Sequence, residues 1–261
     1  MTGTIIGDIA GSDYEFNNTS QYDFEMFGPG SDFTDDTICT VAVADAILNG
    51  HDYQDCMRSW CRKYPHPKGE YGGYFFNWVM RPDPYPYNSF GNGSAMRVAP
   101  VAWLFDTEEK VRTEAAKTAA ITHNHPEGIK GAVAIAVAIF RMRTAANKSS
   151  KIFENVAIEF YGEDAFSDLP EQGFFDVTCQ GCVPLALYIA FISKNFEDAI
   201  RLAVAYGGDS DTVGAIVGSL AEAQYPVPDD MRRRALGYLP DEMLKVYNRF
   251  EEERLCRTSQ R

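Results

Sequence analysis

Two short acidic clusters are the residues best suited to chemistry. One is Thr34-Asp35-Asp36-Thr37; the other is Gly207-Gly208-Asp209-Ser210-Asp211-Thr212. Each stands where a loop runs into a helical pattern. Each therefore has a plain reading, because acidic and hydroxyl residues cap helix N-termini and favour the first turn. Two clusters of the same make-up weaken that reading. Their four carboxylates and the hydroxyls of Thr34 and Thr212 form a hard-oxygen set that suits Mg²⁺ or Mn²⁺ and not zinc, which takes His or Cys. Two such ions about 3.5–4 Å apart would make a two-metal site.

Other segments offer weaker signals. Ser89-Phe90-Gly91-Asn92-Gly93-Ser94 reads as a turn and cap, or as a small loop that turns backbone N–H groups toward phosphate. Thr122-His123-Asn124-His125-Pro126-Glu127-Gly128 holds two of the four histidines, but no third zinc ligand lies near in sequence. Cys179-Gln180-Gly181-Cys182 lacks both a βαβ context for redox work and a second pair for a zinc ribbon, so packing cysteines are expected. Arg97 could pair with acidic ligands or with protein. The aromatic run around Tyr71, Tyr74, Phe75, Phe76 and Trp78 is expected to pack and to shape a pocket rim.

The chain carrying these residues has 261 residues and a net charge of −13, from 37 acidic and 24 basic side chains. That field disfavours nucleic acid and anionic membrane as partners. An anionic substrate would need local compensation, which bound cations supply. The six cysteines form no disulfide framework, the N-terminus does not read as a signal peptide, and the most apolar run, Ile129 to Phe140, is too short to span a bilayer. A reducing cytoplasm is the expected compartment.

Helical periodicity recurs and strand alternation does not. Helices are expected from Asp35 or Asp36 to Leu48, Glu108 to Ile121, Glu127 to Ala145, Ile152 to Tyr161, Val183 to Ser193, Phe196 to Tyr206, Asp211 to Ala223, Asp229 to Leu239 and Asp241 to Leu255. The third is apolar nearly all round and should lie at the centre. Ser12–Phe33, Tyr64–Ser94 and Gly162–Gln180 resist helix, and loops of such length usually carry function. The expected fold is all-α: a single compact helical domain over residues 1–261.

Four segments together resemble the ADP-ribosylglycohydrolase family, which includes dinitrogenase-reductase-activating glycohydrolases and ADP-ribosyl-arginine and -serine hydrolases. They are Gly7-Asp8-Ile9-Ala10-Gly11-Ser12, Phe33-Thr34-Asp35-Asp36-Thr37, Gly91-Asn92-Gly93-Ser94-Ala95-Met96-Arg97 and Gly207-Gly208-Asp209-Ser210-Asp211-Thr212. They keep the family's order and span nearly the whole chain. The resemblance implies a binuclear Mg²⁺ or Mn²⁺ centre with ligands at Thr34, Asp35, Asp36, Asp209, Asp211 and Thr212; Ser210, between two of them, is not carried over. Glu15, otherwise a surface carboxylate, matches a flap glutamate that contacts metal or does acid–base work, with Asn17 and Asn18 shaping the flap. ADP-ribose is expected along Ser89, Phe90, Gly91, Asn92, Gly93 and Ser94, with Phe90 at an adenine-stacking position and His123 near the phosphates or ribose. His125 and Glu127 fit the bacterial form of the motif.

The implied reaction is hydrolysis at C1″ of the distal ribose, freeing ADP-ribose from an arginine- or serine-linked protein. Such cleavage builds oxocarbenium-like charge on the sugar. The cations would activate a water and hold ribose hydroxyls. Asp35, Asp36, Asp209 and Asp211 would stabilise the cationic sugar and orient the water, and one of them or Glu15 would be the base. Glu15 resembles the serine-type flap residue, whereas the His123–Glu127 stretch departs from that subgroup, so both linkages stay open, as do free ADP-ribose conjugates and ADP-ribosylated nucleic acid, the last disfavoured by the acidic surface. Two alternatives are a non-catalytic ADP-ribose-binding protein and a partner that occludes an ADP-ribosyltransferase.

Overall fold

The computed structural model describes residues 1–259. Its helices are α1 (Thr2–Gly11), α2 (Asp35–Asn49), α3 (Tyr53–Lys63), α4 (Gly73–Met80), α5 (Gly93–Met96), α6 (Ala99–Leu104) and α7 (Glu108–Ala120). They continue with α8 (Pro126–Thr144), α9 (Lys151–Tyr161), α10 (Cys179–Ile192), α11 (Phe196–Tyr206), α12 (Ser210–Gln224), α13 (Asp229–Leu236) and α14 (Asp241–Ser259). The fold is helical as expected. Among the described residues, β pairing is confined to an isolated bridge between Gly91 and Thr178. No described helix is long and apolar enough to cross a membrane.

Local chemistry accounts for most of the boundaries. Thr34 caps α2 by accepting the Asp36 N–H, and Gly50 ends it in the left-handed region at φ 65°. Asn195 caps α11 through the Asp198 N–H. His125 caps α8 by accepting the Glu127 N–H, with Pro126 following where its missing N–H costs nothing. α8 lies against α7, α9, α10 and α12, which is why its small and branched residues from Gly131 to Ile139 are nearly all buried.

Three expectations require correction. The stretch Tyr64–Ser94 contains α4, because Phe75, Trp78 and Val79 recur at helical spacing and bury one face between the flanking prolines Pro67 and Pro82. α10 begins at Cys179 and not at Val183: Thr178 caps it by accepting the Gly181 N–H, and Pro184 sits inside the helix. The patterning singles out neither α1 nor α3. All ten residues of α1 are buried, so it has no polar face to give a period.

The closest helix contact pairs α1 with α12. A methyl on Gly3 would fall 2.0 Å from the Gly218 carbonyl oxygen, on Gly7 1.9 Å from that of Gly214, and on Gly11 2.3 Å from that of Ser210. The two backbones touch directly along this seam. It fixes where α1 and the start of α12 present their acidic side chains.

Candidate active site and cation centre

Three helices converge on one buried acidic cluster. α1 brings Asp8, the first turn of α2 brings Asp35 and Asp36, and the entry to α12 brings Asp209 and Asp211. Oxygen atoms of Asp8, Asp36 and Asp211 all lie within 4.8 Å of one another, as do those of Glu15, Asp209 and Asp211. Asp211 belongs to both groups.

Asp8, Asp36 and Asp209 each have one oxygen oriented by the protein. Asp8 Oδ2 accepts the N–H of Thr34 at 3.0 Å, the N–H of Thr37 at 3.1 Å, and the Thr37 hydroxyl. Asp36 Oδ2 accepts the hydroxyls of Thr212 at 3.1 Å and Thr34 at 3.4 Å. Asp209 Oδ2 accepts the Asn92 amide at 2.6 Å. In contrast, Asp8 Oδ1, Asp36 Oδ1 and Asp211 Oδ1 are buried with no protein partner among the described residues. Buried charged oxygens left unpaired are costly and rare in proteins. An all-oxygen set of this kind fits a hard divalent cation.

The electrostatics agree with the geometry. Burial, then the charge of Asp211, raises the Asp8 carboxyl to about 7. Burial and neighbouring carboxylates hold Asp35, Asp36 and Asp209 well above the usual range, and burial raises Asp211. Glu15 rises to about 8, through burial and the charges of Asp211, Asp35 and Asp8, with Lys68 opposing. Packing so many carboxylates together stores repulsion that a cation would relieve.

The cluster floors a cleft of about 440 Å³, within the range of small-molecule sites. Glu15, Asp35, Asp209, Asp211 and Thr212 line it; Thr34 and Asp36 lie buried beneath. Glu15 is held over the cluster by the flap. The Asn18 amide donates to the carbonyls of Tyr14, Glu15 and Gly208, and its oxygen accepts the Gly208 N–H at 2.7 Å. That clasp joins the flap to the turn before Asp209, where Gly207 and Gly208 take φ of 77° and 80°. Asn17 is exposed. Lys68 bridges to Asp13 at 2.6 Å on the outer side.

The glycine-rich loop forms one wall through Ser89, Gly91, Asn92 and Gly93. Two of its N–H groups are used within the protein: Gly91 N–H meets the Ser89 hydroxyl and Asn92 N–H meets the Val177 carbonyl. Ser94 lies outside the cleft, fully buried, with its hydroxyl donated to the Gly128 carbonyl at 2.7 Å. Phe90 is outside the lining as well: its half-exposed ring packs 5.3 Å from His125. His123 lines the cleft and is otherwise buried. Arg97 also borders the cleft, forms no ion pair with the acids among the described residues, and donates to the Thr118 carbonyl and the Thr122 hydroxyl.

The remaining motif residues have structural partners. Ser210 donates to the Gly11 carbonyl at 3.0 Å and pins α12 to α1. Cys179 donates to the Gly91 carbonyl at 3.0 Å. Cys182 donates to the Asp176 carbonyl at 2.9 Å and accepts the Asn92 amide at 3.3 Å, so the pair packs behind the loop. Sequence reasoning assigned no role to Asp8. Its signal is present, since Asp8 is the sole charged residue of a fully buried ten-residue helix.

The fold agrees with comparison to known proteins. The ADP-ribosylglycohydrolase family model matches residues 1–258, and the chain belongs to that family of hydrolases acting on the ADP-ribosyl glycosidic bond. It is 25% identical to an ADP-ribosylarginine hydrolase of Pseudomonas putida, across 87% of this chain and 70% of the relative. It is 26% identical to the ADP-ribosyl-[dinitrogen reductase] glycohydrolase of Rhodospirillum rubrum, across 87% and 84%. A solved structure titled ADP-ribosylglycohydrolase-related protein complex superposes with a TM-score of 0.73 at 25% identity, across 97% of this chain and 95% of that one.

Proposed function

We propose that residues 1–261 form one catalytic domain that removes ADP-ribose from an arginine- or serine-linked protein by cation-dependent hydrolysis at C1″. The observation that carries this reading is the set of three unpaired carboxylate oxygens, on Asp211 in the cleft lining and on Asp8 and Asp36 buried beneath it. The group Asp8, Asp36 and Asp211 and the group Glu15, Asp209 and Asp211 would hold two Mg²⁺ or Mn²⁺ ions, with Thr34, Asp35 and Thr212 beside them. Such ions lower the pKa of a bound water and bind sugar hydroxyls.

The side chains supply the rest of the chemistry. Asp35 and Asp209 face the cleft and oppose the positive charge that develops on the ribose. Asn92 keeps Asp209 turned to that work. Glu15 lines the cleft from the flap, away from the α2 cap that engages Asp36, and is the acid–base residue of this scheme. Ser89, Gly91, Asn92, Gly93 and His123 take the ADP-ribose, and adenine reaches the Phe90 ring at the cleft border. Phe16, Tyr74 and Tyr87 give the cleft an aromatic rim, of which Phe16 and Tyr74 are largely exposed.

The test is release of ADP-ribose from arginine-linked and serine-linked peptides in Mg²⁺, in Mn²⁺ and in EDTA. Release from one peptide that EDTA abolishes establishes the reaction and its linkage. Release unaffected by EDTA removes the cations from the scheme, and tight ADP-ribose binding without release from either peptide removes both linkages.

A further inference from the structure

His123 presents its two ring nitrogens to different surroundings. Nε2 faces the loop wall of the cleft, where a methyl on Gly93 would come within 3.2 Å and one on Gly91 within 3.4 Å. Nδ1 lies 2.7 Å from the hydroxyl of Thr122, a wholly buried residue. The same hydroxyl oxygen is 2.8 Å from Arg97 Nη2, and Arg97 is also wholly buried.

The direction of these bonds follows from their chemistry. A guanidinium has donors only and keeps its charge in proteins, so Thr122 Oγ1 accepts from Arg97. The Thr122 hydroxyl proton then has a single acceptor among its described contacts, His123 Nδ1. A proton on Nδ1 would aim two donors at Oγ1 and strand the hydroxyl proton in the interior, which folded proteins avoid. Nδ1 is therefore the acceptor, and the ring proton sits on Nε2.

We propose that Arg97 and Thr122 form a relay that locks His123 as the Nε2–H tautomer, a neutral donor aimed at an acceptor oxygen of the substrate diphosphate. The diphosphate half of this inference rests on the ADP-ribosyl hydrolase reading; the tautomer half does not. Burial and the nearby Arg97 charge also keep the ring from becoming an imidazolium. Arg97 and Thr122 are positioning residues that act through His123. The arrangement removes His123 from any role as base, since one nitrogen is a donor and the other is occupied.

Nitrogen-15 spectra of the full-length protein at neutral pH read the tautomer directly, with His123 assigned by the signal lost in His123→Gln. The expected pattern is pyridine-like at Nδ1 and pyrrole-like at Nε2. Thr122→Val should average the two nitrogens and weaken calorimetric ADP-ribose binding about tenfold, the worth of one hydrogen bond to a charged oxygen. Thr122→Ser should restore both, which lost packing alone would not explain. A pyrrole-like Nδ1 or an imidazolium pattern in the unmodified protein overturns the relay, and needs no variant to fold. An Nε2–H pattern retained in Thr122→Val overturns it too. Tautomer loss with unchanged ADP-ribose affinity overturns the diphosphate contact, while the hydrolase reading is judged separately by peptide turnover.

Discussion

Replacing Asp8 with Asn is expected to stabilise the cation-free protein while abolishing its activity. Asp8 Oδ2 takes donors from Thr34 and Thr37, and an Asn oxygen can keep them; what disappears is the negative charge facing Asp36 and Asp211. Burial and Asp211 raise this carboxyl from 3.8 to about 7. The shift is upward, so the folded state retains a proton that the unfolded chain releases. The stability this represents is complete below about pH 4 and is lost as pH rises through about 7. That interval corresponds to about 4 kcal/mol as an upper value. Asn titrates nowhere in this range and escapes the loss. In chelator near pH 8, Asp8→Asn should therefore melt higher by up to about 10 °C, with no gain near pH 4. Saturating Mg²⁺ should favour the unmodified protein, since a ligand stabilises whichever form binds it. ADP-ribose release by the variant should fall about 100-fold or more. The assay is thermal unfolding at both pH values, with chelator and with Mg²⁺. A variant that melts lower than the parent in chelator near pH 8, or responds equally to Mg²⁺, refutes the charge-repulsion account.

Other perturbations probe other parts of the site. Asn92→Ala removes the 2.6 Å bond that orients Asp209 and should cut kcat about 10- to 100-fold with little change in melting temperature. Phe90→Ala should raise KM about tenfold at unchanged kcat if adenine stacks at the cleft border; an unchanged KM would take adenine elsewhere. Gly7→Ala puts a methyl 1.9 Å from the Gly214 carbonyl oxygen and should cost about 1–3 kcal/mol or more in denaturant unfolding. Near-parental stability would mean that the α1–α12 seam can part at little cost.

The acidic clusters at residues 34–37 and 207–212 are legible because carboxylates and hydroxyls of one kind gather at two helix starts. The long helices are legible because their apolar residues repeat and their caps are ordinary, as at Asn195 before α11. α1 is not legible by period, since a helix buried on every side has no polar face. α4 is masked by prolines that flank it without entering it. Within the site, chain position hides partnership. Nothing near residue 92 announces a bond to Asp209, and nothing in residues 97 or 122 announces His123. The same holds for Ser94, whose motif looks like ligand contact until its hydroxyl is found against Gly128.

The glycine seam has a consequence for synthesis. α1 emerges from the ribosome well before α12, yet the surface that covers it lies on α12, and Gly3 meets Gly218. At roughly 5–20 residues per second, about 10–40 s separate the two. For that interval an apolar helix bearing Asp8 has no native partner on α12. The nascent chain must shelter it by transient collapse or by a chaperone, and the acidic cluster closes only when α12 arrives. Slowing translation between the codons of α1 and those of α12 would then lengthen the aggregation-prone phase without altering one atom of the finished enzyme.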